Sequence, residues 1–444
     1  MRPLVDVIIP MYDSAPTIGE TIESLRRQTM RRWRAVVVDD GSTDEGGRVA
    51  SEFAARDARI RVVHQENRGL AGARNRGLDE TARRPASRVL FLDADDWLTP
   101  RGLEALLKVG GENACGGFEL TDADGRLIGR ECPAPSGGVG LETLLSYNPF
   151  AAHAVLTHRE RIGELRFDES LEVCEDYDFW LRLGERGVRW EATPAIVARY
   201  RIRPSGLSKR SELMARTFGR VLGASYERVR ARGLDADVSE ARLSRSCGAL
   251  ALHFASVEAL RGAGEEAALR VLEAGGGRPA WSPDALATGA ITALQLGLGV
   301  SPEIDGHSER AWGGALWSWW EALGARHAIA PEVIEAGVDR VAQRTAHPRE
   351  VARELLAEGG DWRALGVIGD PARARWIVRE ALAQGKSARV LGPGADAEPG
   401  ERLVSAGGCE DDPRVAAHWE RARARLGAVR AKRLRRTRRT SAAA

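Results

Sequence analysis

"RVLFLDADDWLTP", residues 88–100, opens as a buried strand and ends in crowded negative charge. Val89, Leu90, Phe91 and Leu92 make an apolar run. Asp93, Asp95 and Asp96 follow at once, and Thr99-Pro100 reads as the cap and first residue of a helix. Like charges about 4 Å apart repel by roughly 4 kcal/mol at an effective dielectric of about 20. Helix capping accounts for one carboxylate here but not for three. A hard divalent cation would relieve the crowding: Mg²⁺ or Mn²⁺ takes oxygen ligands and commonly shares them with substrate phosphates.

The neighbouring sequence has a matching rhythm. Short apolar runs rich in Val and Ile recur at 4–9, 34–38, 60–63 and 88–92, with helix-like segments at 16–29, 44–56 and 70–83 between them. In the first of these, Ile18, Ile22 and Leu25 share a face. Strand–helix alternation predicts an α/β fold, a Rossmann-like, mostly parallel sheet with helices on both faces. Such sheets bind ligands at the carboxyl ends of their strands. The first strand ends in Pro10-Met11-Tyr12-Asp13, the second in Asp39-Asp40-Gly41-Ser42, and the fourth in the aspartate cluster. Ser42, Thr43 and Asp44 are explained as caps of the next helix. The remaining polar groups converge on one sheet edge.

Global composition sets the frame. A chain of 444 residues with 43% hydrophobic and 29% charged residues is globular, and that length suggests about three domains. No apolar stretch approaches the roughly 20 residues of a membrane helix, and residues 1–4 lead directly into a strand rather than a signal peptide. The five cysteines are scattered without a CxxC pair, which argues for free thiols, no zinc site and a cytoplasmic protein. The net charge of +2 conceals an asymmetry: residues 421–439 hold nine arginines, one lysine and no acid, so the rest of the chain is net −8. Such a tail reads either as an exposed, fraying helix or as a contact with anionic membrane or a polyanionic acceptor.

Beyond residue 208 the pattern changes. Residues 209–345 read as helical, with long Ala/Leu/Arg segments such as 236–261 and 264–274. Four tryptophans at 312, 317, 319 and 320 are expected to pack a core, with an acceptor platform or a lipid-facing edge as the alternative. Residues 363–391 read as strand–helix–strand, yet "GVIGDPARA" lacks GxGxxG, so 346–418 is expected to be a small degenerate α/β module that binds no cofactor. Residues 419–444 form the basic tail.

Five stretches carry a resemblance. "VDVIIPMYDSAPTIGETIESLRRQT", "AVVVDDGSTDEG", "NRGLAGARNRGL", "FLDADDWLTP" and "EDYDFWLRL" stand in the order and spacing of glycosyltransferase family 2, over about residues 1–208. The resemblance implies a GT-A catalytic domain there, with a nucleotide-sugar donor. It implies that Pro10, Tyr12 and Asp40 hold the base of a UDP-type donor, with Asp39 supporting the loop or ribose. It places Arg74 beside the donor, Asn75 in a structural role, and Asp93 and Asp95 in the DxD motif, with Asp95 as the metal ligand and Asp96 the second choice. Asp176 matches the family's catalytic base, which in an inverting transfer takes the acceptor hydroxyl's proton. Its neighbours Glu175 and Asp178 are favoured in a helix's first turn whatever their role.

Two positions depart from the family pattern. Asp13 stands where Asn is usual, and Arg203 where a His often stands. A guanidinium can bind phosphate but cannot ligate a metal. Arg203 is therefore expected on the donor, with Ser205 and Ser208 as candidate phosphate contacts and 133–140 as an acceptor-side loop. The expected activity is metal-dependent sugar transfer to a carbohydrate, lipid-linked or polyanionic glycan acceptor in cell-surface or secreted glycan synthesis. No nucleic acid is expected, and an oligomer is compatible with the sequence. The alternatives are a nucleotidyltransferase on a related fold, disfavoured because "PMYDSAP" is not a Gly-rich basic loop, and a catalytically silent sugar-nucleotide scaffold.

Overall fold

The computed structural model describes residues 4–83, 85–203, 210–279, 281–293, 314–345, 364–368, 387–391 and 401–405. The chain divides into two compact units, 1–280 with 292–301, and 281–291 with 302–444.

The first unit is built on β1 (Val5–Met11), α1 (Ile18–Arg26), β2 (Trp33–Asp39), α2 (Gly46–Arg56), β3 (Ile60–His64), α3 (Gly69–Ala82) and β4 (Arg88–Phe91). β1 pairs in parallel with both β2 and β4, and β2 with β3. All seven residues of β1 are buried, as a central strand covered on both faces requires. The pleat sends Val5, Val7 and Ile9 toward α1 and α2, and Ile8 toward α3. At Gly77 of α3 an added Cβ would lie 2.2 Å from Ile8 Cγ2, so only glycine lets this helix settle on β1.

The aspartate cluster leads into β5 (Trp97–Leu98) and α4 (Gly102–Leu107). Thr99 does not cap that helix as expected: its hydroxyl donates to Ile196 O instead, and the helix starts three residues later. β6 (Ala114–Thr121), β7 (Leu127–Cys132), α5 (Leu141–Leu144), β8 (Val155–His158), α6 (Arg159–Ile162), α7 (Glu175–Gly184) and β9 (Glu191–Arg201) complete the sheet. Its order is β3-β2-β1-β4-β8-β6-β9-β5, with β7 beside β6. Antiparallel pairs enter at β4–β8, β6–β8, β5–β9 and β6–β7, whereas β6–β9 is parallel.

Three helices follow, α8 (Ser211–Ala231), α9 (Glu240–Leu260) and α10 (Glu265–Ala274). α8 packs Phe218, Val221, Leu222 and Tyr226 into the core that also holds Tyr177 and Trp180 of α7. α7, α8 and α9 together grip the end of α5 and the two residues after it. Tyr226 Oη donates to Leu145 O at 3.0 Å, Arg242 Nη2 donates to Ser146 Oγ at 2.9 Å, and Tyr177 Oη donates to Leu144 O.

In the second unit, α11 (Pro283–Thr292), α12 (Gly314–His327) and α13 (Pro331–Thr345) carry a small core. Leu286, Trp319, Trp320 and Leu323 are fully buried there, as expected of packing tryptophans. β10 (Ala364–Ile368) pairs in parallel with β11 (Ser387–Leu391) and β12 (Glu401–Ser405), the first two falling where strands were expected, while residues 369–386, where the helix was expected, lie outside the described residues. Trp312, the Trp317 side chain, Ser205, Ser208 and the tail 419–444 lie outside the described residues.

Candidate active site

Adjacent aspartates at the end of β2 face different tasks. Asp39 is consumed by architecture: its Oδ1 accepts Ser42 N at 3.0 Å and its Oδ2 lies 2.9 Å from His64 Nδ1. Asp40 is buried on the cavity wall. Its Oδ1 accepts Gln65 Nε2 at 2.7 Å and Arg68 N at 2.9 Å, while its own N donates to Met11 O. Oδ2 of Asp40 accepts no hydrogen bond among the described residues. Asp13, the departure from Asn, sits at φ 43°, a left-handed conformation both residues tolerate. Its Oδ1 accepts Thr43 N at 2.7 Å and Asp44 N at 3.3 Å, and the Thr43 N–H holds the carboxyl below its ordinary range. Asp13 thus organises the loop.

Arg74 of α3 lies beneath the cluster, only 2% exposed. Its Nη2 donates to Asp93 Oδ1 at 2.8 Å and its Nη1 to Glu175 Oε1 at 2.5 Å, tying α3 to the end of β4 and the start of α7. Burial opposes its charge, but Asp93, Glu175 and Asp176 outweigh that and hold it firmly protonated. Asn75, expected to be structural, donates to Phe167 O and to Glu169 Oε1 and accepts Phe167 N.

The three clustered aspartates find different partners. Asp95 pairs with Arg203, Nη2 to Oδ2 at 2.6 Å. Burial and the adjacent Asp96 push the Asp95 carboxyl up to about 7 against the pull of Arg203. Asp96 turns inward: its Oδ1 accepts Arg201 N at 2.7 Å, and its Oδ2 lies 3.1 Å from His153 Nδ1. His153 is fully buried, stacks on Tyr200, and has no hydrogen-bond partner of good geometry for either ring nitrogen among the described residues. Burial raises the Asp96 carboxyl; Asp96 and its neighbours raise His153 despite burial. One ligand atom each from Asp93, Asp96 and His153 lie within 4.8 Å of one another. Two carboxylate oxygens and an unpartnered imidazole suit Mn²⁺ or a similar borderline-hard cation.

At the start of α7 the three acids separate. Asp178 pairs with Arg182 at 2.5 Å and Glu175 with Arg74. Burial pushes Glu175 up to about 7, against Arg74. Asp176 has no ion pair among the described residues; its Oδ1 accepts Tyr177 N at 2.7 Å, and Asn148 Nδ2 stands 3.5 Å from its Oδ2. Burial raises its carboxyl, with the field of Arg74 opposing, which moves it toward the range of a working base. The preceding Cys174, buried and at φ 62°, caps the helix in a strained left-handed conformation. Burial pushes its thiol well up, in keeping with packing rather than reactivity.

A cavity of about 760 Å³ gathers Pro10, Tyr12, Asp40, Asp93, Asp95, Asp96 and Arg203 on its wall. Tyr12 stands half-exposed there. Two expected residues are not on that wall. Arg74 lies behind Asp93, and Asp176 is set beside it in the field of Arg74 and Asp93. The sequence reading missed His153, a lone histidine in "NPFAAHAV" with no spacing signal, and Arg201, whose backbone and side chain hold Asp96 and Asp95 O.

The glycosyl transferase family 2 model matches residues 6–130. A putative teichuronic acid biosynthesis glycosyltransferase, TuaG of Bacillus subtilis, is 30% identical over 212 residues, 47% of this chain and 82% of its own. The uncharacterized glycosyltransferase EpsJ of the same organism is 42% identical over 113 residues, 26% of this chain, and the present chain spans only 32% of its length. Among solved structures, S. aureus TarS 1-349 in complex with UDP-GlcNAc superposes with a TM-score of 0.44 at 17% identity, covering 79% of this chain and 92% of that one. At that level no residue role is carried over. The chain belongs to glycosyltransferase family 2. Its nine-stranded mixed sheet with covering helices is an α/β arrangement, as the strand–helix alternation of the sequence predicts.

Proposed function

We propose that the protein transfers a sugar from a nucleotide-diphosphate donor, of the UDP type, to an acceptor hydroxyl, inverting the anomeric centre by direct displacement. The observation that carries this reading is the division among the acids. Asp40, Asp93 and Asp95 line one cavity at the strand ends, while Asp176 alone in the first turn of α7 has no ion-pair partner among the described residues.

Asp40 offers an unused carboxylate oxygen to an imide N–H, and Tyr12 covers the base. Arg203 faces the diphosphate. Asp93 and Glu175 are fixed by Arg74, which thereby acts on the donor site from beneath. The Asp95 and Asp93 carboxylates, or Asp93 with Asp96 and His153, would hold Mn²⁺ or Mg²⁺. Bound there, such an ion would neutralise charge on the leaving diphosphate. Asp176 receives the proton of the attacking hydroxyl, and Asn148 orients its Oδ2. The similarity to TuaG, a putative teichuronic acid biosynthesis glycosyltransferase, supports a glycan acceptor. No described helix is long and apolar enough to cross a membrane. The basic segment 421–439 would bring the protein to an anionic surface.

Hydrolysis of a panel of nucleotide sugars, with and without Mn²⁺, tests the assignment. Release of nucleotide from one donor class only, stimulated by Mn²⁺, is expected. Hydrolysis that ignores both the sugar nucleotide and the cation would remove it.

A further inference from the structure

The departure at position 203 has a structural counterpart in the pairing of Arg203 with Asp95. Arg203 Nη2 lies 2.6 Å from Asp95 Oδ2, so a resident guanidinium occupies the carboxylate expected to bind a cation. The two partners differ in freedom. Asp95 is largely buried at the turn after β4, and its carbonyl is held by Arg201 Nε at 3.0 Å. The Arg203 side chain is 38% exposed, lines the cavity, and carries a buried Nε–H with no hydrogen-bond partner among the described residues. A partly exposed ion pair is a weak bond. A diphosphate carries more charge than one carboxylate and matches the guanidinium fork with two oxygens, so it competes well for Arg203. A divalent cation and a guanidinium sharing one carboxylate, in contrast, repel one another.

We propose that Arg203 couples donor and cation binding. Its guanidinium holds Asp95 while the cavity is empty and moves to the diphosphate when nucleotide enters, so that Asp95 becomes available to a divalent cation only then. The inference rests on the nucleotide-diphosphate and cation reading given above. By linkage the effect is reciprocal: nucleotide tightens the cation and the cation tightens nucleotide by the same factor. Repulsion between a guanidinium and a divalent ion about 6 Å apart is worth about tenfold in affinity even at the dielectric of water.

Manganese binding to the full chain, read from the electron paramagnetic resonance signal of free Mn²⁺, tests this without any turnover. Wild type should bind Mn²⁺ weakly alone and at least about tenfold more tightly with UDP. Arg203→Gln, which keeps much of the stem but removes the charge, should bind Mn²⁺ about tenfold more tightly than wild type without UDP, and gain about tenfold less from UDP than wild type does. Arg203→Lys retains the charge and should remain weak without UDP, which separates the charge effect from damage to the fold. If Arg203→Gln leaves the UDP-free affinity unchanged while both proteins bind Mn²⁺ with UDP, the coupling is wrong and the donor–cation reading stands. If no variant binds Mn²⁺ under any condition, both fall.

Discussion

Replacing Arg74 with methionine, which fills similar space without charge, strikes the centre of the site. The guanidinium is 2% exposed and bonded to Glu175 at 2.5 Å and Asp93 at 2.8 Å. Removing one partner of a buried pair costs about 3–5 kcal/mol, because the other charge is left uncompensated. At about 2–4 °C per kcal/mol for a unit of this size, the unfolding midpoint should fall by roughly 10 °C. The loss should depend on pH. Glu175 titrates near 7 when folded and near 4.3 when unfolded, so the folded state binds its proton more tightly. Its contribution to stability is thus fully present below the unfolded value and is lost as pH rises through the folded one. Without Arg74 the folded value climbs further. The variant should therefore suffer most above pH 7 and recover more than half of its deficit near pH 5, where Glu175 is protonated in both proteins. Calorimetric unfolding of both proteins at pH 5 and pH 8 decides the matter. A deficit under about 1 kcal/mol, or one equal at both pH values, would refute the idea that Arg74 acts by compensating buried carboxylates.

Asp176→Asn should leave nucleotide affinity unchanged by calorimetry while cutting transfer by about 10²–10⁴-fold; near-normal turnover would move the base to another acid. Asp95→Ala should abolish the Mn²⁺-dependent part of UDP binding. If His153→Ala does so instead, the inner set of Asp93, Asp96 and His153 holds the cation. Tyr226→Phe strands Leu145 O in the core and should cost about 1–3 kcal/mol in denaturant unfolding, with UDP binding retained.

The N-terminal alternation was legible because each apolar run is bounded by its own turn chemistry. The strands anticipated at 34–38 and 60–63 appear as Trp33–Asp39 and Ile60–His64, and the helix near Glu175 begins there. The carboxylates on the cavity wall were legible for the same reason, since each follows a strand directly. Partners drawn from distant segments were not. Nothing local tells that Arg74 meets Glu175 101 residues away, or that Asp96 faces His153 rather than the cavity alone. Strand order beyond β4 was equally hidden, because antiparallel β8 and β6 enter through long-range pairing that no period in the sequence records. The asymmetry between Asp39 and Asp40 was half visible: the pleat sends neighbours to opposite sides, but only the fold puts His64 on one of them.

The fit of Gly77 against Ile8 makes this position a handle on the enzyme's working temperature. α3 also carries Arg74, three residues earlier. A methyl group at 77 cannot be absorbed by side-chain rotation alone, since it meets Ile8 at 2.2 Å; the helix itself must retreat. A retreat of even about 1 Å would carry the guanidinium away from Asp93 and Glu175, and displacements of that size are costly to catalysis. Gly77→Ala is thus the kind of change from which a conditional allele is made, tolerated in the cold and silent when warmed, with every residue that meets substrate left as it was.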